Sequence, residues 1–166
     1  MELIMLDENF IPCGIIDNFS SLSWTRRYYD VGSFNLQITI SDYMKIKNAK
    51  YIYSNSFIET AKIEAVNYIN GVNDINVQLS GRFLEILLND RVINNTQNLN
   101  NTTENNCRNL VNNFAINPSV SSRKIPKVRL GEAHGLGKKY IMQVTGEELM
   151  TELYTLAKQD ELSIRL

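Results

Sequence analysis

The sequence predicts an α+β protein. An antiparallel β-barrel-like domain with a short capping helix spans residues 1–91, and a small α/β subdomain, incomplete at its C-terminus, follows over 92–166. Three observations predict it. Phe34, Leu36, Ile38 and Ile40 alternate with Asn35, Gln37, Thr39 and Ser41. Strand side chains point to opposite faces in turn, so this stretch places one face in a core and one in water. Short apolar runs before residue 80 are separated by turn chemistry, most strongly at Asn70-Gly71, a hairpin signal. After Gly81-Arg82 the period lengthens: Phe83, Leu84, Ile86, Leu87 and Leu88 are too continuous for a half-exposed strand and fit a short buried helix.

The elements follow in order. Residues 2–6 and 11–16 form a hairpin turned by Asp7, Glu8 and Asn9, which favour turns through local side-chain hydrogen bonds. Residues 22–30 form a third strand, with Trp24, Arg26 and Tyr28 on one face and Thr25, Arg27 and Tyr29 on the other. Gly32 permits a turn that a β-carbon would disfavour, and the alternating strand 34–40 comes next. Residues 51–53 are a short strand. Residues 57–69 and 75–79 make a hairpin whose register stays open: a four-residue loop pairs Tyr68 with Ile75 and Val66 with Val77, a three-residue loop Ile63 with Leu79. Alternation breaks near Ala65 and Val66, which predicts a bulge.

The second part reads mainly as helices and polar loops. The asparagine-rich run 94–113 reads first as an exposed loop. Thr103 caps a helix with Cys107, Leu110, Val111 and Phe114 on one stripe, ended at Asn117-Pro118 because the residue before proline disfavours helix. Residues 123–130 are extended, interrupted by Pro126. Thr145 and Glu148 form a capping box for a helix burying Leu149, Met150, Leu153, Tyr154 and Ala157. Residues 161–166 begin to alternate as a strand, as expected of a piece of a longer protein.

Composition excludes several classes. At 166 residues with 43% hydrophobic and 21% charged residues, the chain can bury a real core. A net charge of -1 argues against a general grip on nucleic acid, which needs clustered Lys and Arg. Two cysteines and one histidine cannot build a zinc site, which needs about four ligands. Cys13 and Cys107 read as buried free thiols in preference to a disulfide. There is no signal peptide and no apolar run near the ~20 residues of a membrane span. The expectation is a soluble protein made in the cytoplasm.

Chemistry is sparse. His134 in Glu132-Ala133-His134-Gly135-Leu136-Gly137 has a titratable ring, yet two glycines imply a mobile surface loop. Gly135-Leu136-Gly137-Lys138-Lys139 lacks the order of a phosphate-binding loop. Asp90, Glu132 and Glu85 are available carboxylates for sugar hydrolysis, but nothing pairs them. Trp24, Arg26 and Tyr28 could stack on a sugar or base. They read better as an interface, where Trp, Tyr and Arg are enriched.

Several blocks occur in a telling order: Ser21-Leu22-Ser23-Trp24 with Arg26, Arg27 and Tyr28; Gly32-Ser33-Phe34; Ile63-Glu64; and Gly81-Arg82 with Leu87 or Leu88. Asp90-Arg91-Val92-Ile93 and Arg123-Lys124-Ile125-Pro126 follow, then the closing helix with Leu149, Leu153 and Ala157. Together these blocks span nearly the whole chain, which resembles the siphophage tail hub proteins, structural subunits at the tip of long-tailed bacterial viruses. The resemblance implies a virion tail component without catalytic residues, cofactor or metal. It implies assembly with itself, as a trimer in the full-length protein, and docking to neighbouring tail proteins. Small β-barrel domains would form a ring around the DNA and tape-measure channel. Members are usually longer and sometimes fused to peptidoglycan-degrading domains, so this chain would be an N-terminal part. The signature residues are Trp24, Arg26, Arg27, Tyr28, Gly32, Phe34, Gly81, Arg82, Arg91 and Arg123, with the interface expected on the strand from Trp24 to Tyr29 and on residues 30–34. The alternatives are the scaffold of a tail-associated peptidoglycan hydrolase and a carbohydrate-binding β-domain.

Overall fold

The structure, a computed structural model, describes residues 1–70 and 75–165. Two compact units emerge: Met1–Arg27 with Val31–Leu84, and Tyr28–Asp30 with Glu85–Arg165. The sequence-expected division at Arg91 thus differs from the division of the units at Leu84, and Tyr28–Asp30 go with the later segment.

The first unit is built on one antiparallel sheet. Its strands are β1 (Leu3–Leu6), β2 (Pro12–Ile16), β3 (Ser21–Thr25), β4 (Ser33–Thr39), β5 (Tyr51–Tyr53), β6 (Ala61–Asn70) and β7 (Ile75–Phe83). Their spatial order is β2-β1-β5-β6-β7-β4-β3. The expected alternation holds along β4, with Phe34, Leu36 and Ile38 buried. Across the sheet, Met5 pairs with Ile52, Ile52 with Ala61 and Ala61 with Phe83, and all four are buried. That row is the spine of the core. The barrel-like closure expected from the sequence is not found, because β2 and β3 remain the two ends of the sheet.

Three strand expectations change. The third strand stops at Thr25 instead of running to residue 30. The fourth yields at Ile40 to helix α1 (Ile40–Ile46), whose first turn is capped by Thr39 accepting from Asp42 N–H at 3.2 Å. Thr39-x-x-Asp42 was the cap signal, masked by the strong alternation that precedes it. The β6–β7 hairpin takes a third register, Asn70 with Ile75, Tyr68 with Val77 and Val66 with Leu79. Neither expected pairing occurs, and the Gly71 half of the turn signal lies outside the described residues. A bulge does occur, between Ile63 and Ala65.

The second unit starts with a 3-10 helix whose Ile86 and Leu88 are buried. It contains β8 (Gln97–Thr102), α2 (Thr103–Val111), a π-helical turn over Asn112–Ile116, β9 (Lys139–Val144) and α3 (Leu149–Gln159). Strands β8 and β9 pair antiparallel, so the asparagine-rich run is a strand and then a helix, not a loop. Its one buried strand residue, Leu99, gives too little alternation to announce a strand. Helix α2 is capped by Thr102, not Thr103, and the helical run ends at Ile116 before Asn117-Pro118 as expected. Residues 124–130 form no strand.

The capping box of α3 does not form. Helix α3 begins at Leu149, and Glu148 makes no side-chain cap. Residues 146–149 are held by the chain at Arg91–Ile93 instead: Gly146 N–H donates to Ile93 O at 2.7 Å, Ile93 N–H to Glu147 O at 2.9 Å and Leu149 N–H to Arg91 O at 2.7 Å. With the helix starting at Leu149, Glu148 stands at the N-cap itself instead of three residues inside a helix capped by Thr145. The predicted stripe of Leu149, Met150, Leu153, Tyr154 and Ala157 is nevertheless buried. Residues 162–165 are not a strand, and Leu166 lies outside the described residues.

Candidate interface

The structure resolves the signature residues into pairs, each tied to a specific backbone feature. Gly81 sits where the bulge closes: a β-carbon there would lie 1.9 Å from Lys62 O and 3.0 Å from Glu64 N. Only glycine leaves that space. Arg82 beside it clamps Glu64, the bulge residue, through Nε at 2.8 Å and Nη2 at 2.9 Å. The blocks Ile63-Glu64 and Gly81-Arg82 are therefore one device, a bulge with its glycine seat and its bidentate strap.

Gly32 is also a matter of room. Its φ is not in the left-handed region, but a β-carbon would stand 2.3 Å from the Phe83 ring and 2.6 Å from Thr25 O. Phe83 belongs to an aromatic cluster: Trp24 stacks on Phe57 with centroids 4.7 Å apart and tilts against Phe83 at 4.9 Å and Phe34 at 5.9 Å. Trp24 Nε1–H reaches Glu59 Oε2 at 3.5 Å, and Arg26 Nε donates to the same oxygen at 3.0 Å. Glu59 is buried. Burial acts to raise its carboxyl, yet hydrogen bonds from its own backbone, Arg26 and Trp24 hold it below the usual carboxylate range. Trp24 and Phe34 thus belong to packing inside the first unit, while Arg26 and Arg27 remain exposed.

In the second unit Arg91 and Arg123 clasp the two segments that carry them. Arg91 Nε donates to Arg123 O, and Arg123 Nη2 donates to Val92 O at 2.7 Å. Ile125, next to this clasp, is buried and donates its N–H to Ala115 O at 2.8 Å. Tyr28 is exposed, and its hydroxyl donates to Glu161 O at 2.7 Å. Tyr29 packs edge-on against Tyr28, with Lys158 Nζ 5.9 Å from the Tyr29 ring centre.

The loop around His134 is tied down rather than free. Glu104 accepts from His134 N–H at 3.0 Å and Leu136 N–H at 2.8 Å, and Asp160 accepts from Lys138 N–H at 2.7 Å. Arg108 donates to Gly131 O at 2.6 Å and Glu132 O at 3.2 Å. Both carboxyls are held low, Glu104 chiefly by the Leu136 amide and Asp160 chiefly by the Thr103 hydroxyl. Among the described residues, no group of three or more His, Cys, Asp or Glu could hold a metal ion. No helix among them is long and apolar enough to cross a membrane. Cys13 and Cys107 are both free. Cys13 is exposed, against expectation, while burial pushes the partly buried Cys107 thiol up to about 12.

Sequence reasoning missed the exposed apolar surface of the first unit. Among the described residues, strand β5 pairs with β6 at Lys62 and Ala61, and no strand pairs with that edge of β6 beyond Ile63. Val66, Tyr68 and Ile69 are exposed there, with Ile75 beside them on β7. A cleft of about 210 Å³ lies between α1 and this edge, lined by Tyr43, Ile46, Ile63 and Val66 among others. On β2, Ile11 precedes the strand and Ile15 lies within it, and both are exposed. The available signal was the run Ile11-Pro12-Cys13-Gly14-Ile15-Ile16, too apolar to have a watered face.

A family model described as Siphovirus ReqiPepy6 Gp37-like protein matches residues 2–166. No curated protein matches the chain. Among solved structures, the fold is similar to prophage tail protein gp18 from Listeria monocytogenes EGD-e, with TM-score 0.57 and 12% identity over 95% of this chain and 45% of that one. It is similar to the tail protein from Neisseria meningitidis MC58, with TM-score 0.58 and 14% identity over 94% and 44% of the two chains. For the prophage MuSo2 43 kDa tail protein from Shewanella oneidensis the values are 0.52, 17%, 96% and 49%. The chain spans about half the length of these structures.

Proposed function

Because the chain belongs to the family of Siphovirus ReqiPepy6 Gp37-like proteins, we propose that it is part of a tail-tip hub subunit, working by self-assembly and by docking to neighbouring tail proteins. The family match over residues 2–166 carries this reading. The fold likeness to three tail proteins supports it. So do the open sheet edges, because unpaired strand edges are templates for pairing with another chain. On this reading the chain carries no chemistry of its own. It is made in the cytoplasm of a bacterial host and ends in the virion tail. The barrel-like closure is completed outside this chain, by neighbouring subunits forming an oligomer, a trimer in the full-length protein.

Particle localisation tests the proposal. Antibody raised against this chain should decorate purified phage particles at the tail end remote from the head. Labelling along the tube, or absence of the protein from washed particles, would overturn it.

A further inference from the structure

The stretch between Ile125 and β9 has firm anchors and no core of its own. Ile125 is buried, and from Lys139 onward the chain is paired to β8. Between these anchors no residue from 126 to 138 is buried. What fixes the stretch is therefore polar. Segments with few buried apolar contacts open at the lowest free energy.

The contacts go to its backbone. Arg108 donates to Gly131 O at 2.6 Å and to Glu132 O at 3.2 Å. Glu104 accepts from His134 N–H at 3.0 Å and from Leu136 N–H at 2.8 Å, and Asp160 accepts from Lys138 N–H at 2.7 Å. Two first-turn amides of α2 complete the seat: Glu104 N–H donates to Leu136 O at 3.1 Å and Thr103 N–H to Lys138 O at 3.0 Å. Residues 132, 134, 136 and 138 turn alternate backbone groups to this seat, as an extended strand does to a neighbour. Two charged side chains of α2 and one at the end of α3 carry most of the grip, and hydrogen bonds to ionised groups are about twice as strong as neutral ones. The path into the seat is strained, since Lys127 holds φ 64, a left-handed conformation that residues with a β-carbon seldom adopt.

The charges facing Glu104 are Arg108 on its own helix, 3.5 Å away, and His134 on the docked segment. Cys107, also on α2, stays neutral because burial pushes its thiol up to about 12. Facing Asp160 are Lys138 and the hydroxyls of Thr103 and Tyr140. Both carboxyls are held below the usual carboxylate range, Glu104 chiefly by the Leu136 amide and Asp160 chiefly by the Thr103 hydroxyl. A carboxyl held low when docked gives a grip that is fully present above its ordinary value and is lost as pH falls through its docked one.

We propose that residues 126–138 are a latch: they undock from α2 as a unit while α2, β9 and α3 stay folded, and acid undocks them. The latch does not depend on the assembly reading. Its opening releases extended backbone, a template for strand pairing, without unfolding the unit that carries it.

Amide hydrogen exchange on the whole chain, resolved by residue and corrected for intrinsic rates, tests it. At pH 7 the His134, Leu136 and Lys138 amides should be protected, but about tenfold or more less than Leu110 within α2. At pH 3 their protection should fall about tenfold further while that of Leu110 holds. Glu104→Gln with Asp160→Asn should remove the protection already at pH 7 and leave nothing for acid to change. The wild-type comparison stands by itself where the substitutions disturb α2. Amides of residues 134–138 that exchange only together with Leu110 would mean a fixed loop and overturn the latch. Protection that is equal at both pH values, or that survives the double substitution, would overturn its release by acid.

Discussion

At Glu152, helix α3 buries a carboxylate whose Oε1 has no hydrogen-bond partner. Burial raises its affinity for a proton, and the Glu147 charge adds to that. A folded carboxyl with a raised pKa contributes stability that is fully present below its unfolded value, near 4.3, and is lost as pH rises through its folded value. Glu152→Gln should therefore stabilise the protein at neutral pH, by about 1 kcal/mol, and give no gain near pH 4. Urea denaturation at the two pH values checks the sign. A variant equally stabilised at both would show that the charge is not what costs.

Among elements, the bulged strand β6 depends on its neighbour's glycine. Gly81→Ala pushes a methyl group onto Lys62 O, where only 1.9 Å is available, so the ladder between β6 and β7 must shift. A loss of about 1–3 kcal/mol is expected, read as a lower denaturation midpoint. Arg82→Ala, which removes an ion pair with an exposed partner, should cost less, about 1 kcal/mol or below. The bulge was legible in the sequence to within a residue or two, because a period of two cannot continue through an extra residue. What held it was not legible, since the contact between Gly81 and Lys62 joins positions on different strands. The same division runs through the other elements. β4 announces itself by three alternating residues, Phe34, Leu36 and Ile38, whereas β8 has only Leu99, and the start of α3 is set by residues more than fifty positions earlier. Trp24 was read as an interface residue, and it packs on Phe34, Phe57 and Phe83; an aromatic strand reads alike whether its partners are these rings or another subunit. The exposed edge of β6 could not be read at all, because an edge is defined by where β5 stops.

For the whole molecule, the family assignment covers residues 2–166, while the similar solved structures are about twice as long. The order of the sequence blocks carried this identification because each block meets a geometric demand: a bulge seat, a ring pressed on a glycine, a reciprocal arginine clasp. One of those blocks also crosses the boundary between the units. Residues Tyr28–Asp30 count with the second unit, although Arg27 and Val31 on either side count with the first. No single cut in the gene can therefore separate the two. A fragment of residues 85–165 made alone would lack the Tyr28 hydroxyl that binds Glu161 O and the Tyr29 ring beside Lys158. It should melt lower than the same residues do within the whole chain, as followed by hydrogen exchange in α3. Equal protection in both settings would mean that the borrowed tripeptide is dispensable. In dissection experiments on this protein, then, the part of the second unit most easily lost is the tripeptide that lies more than fifty positions before the rest of it.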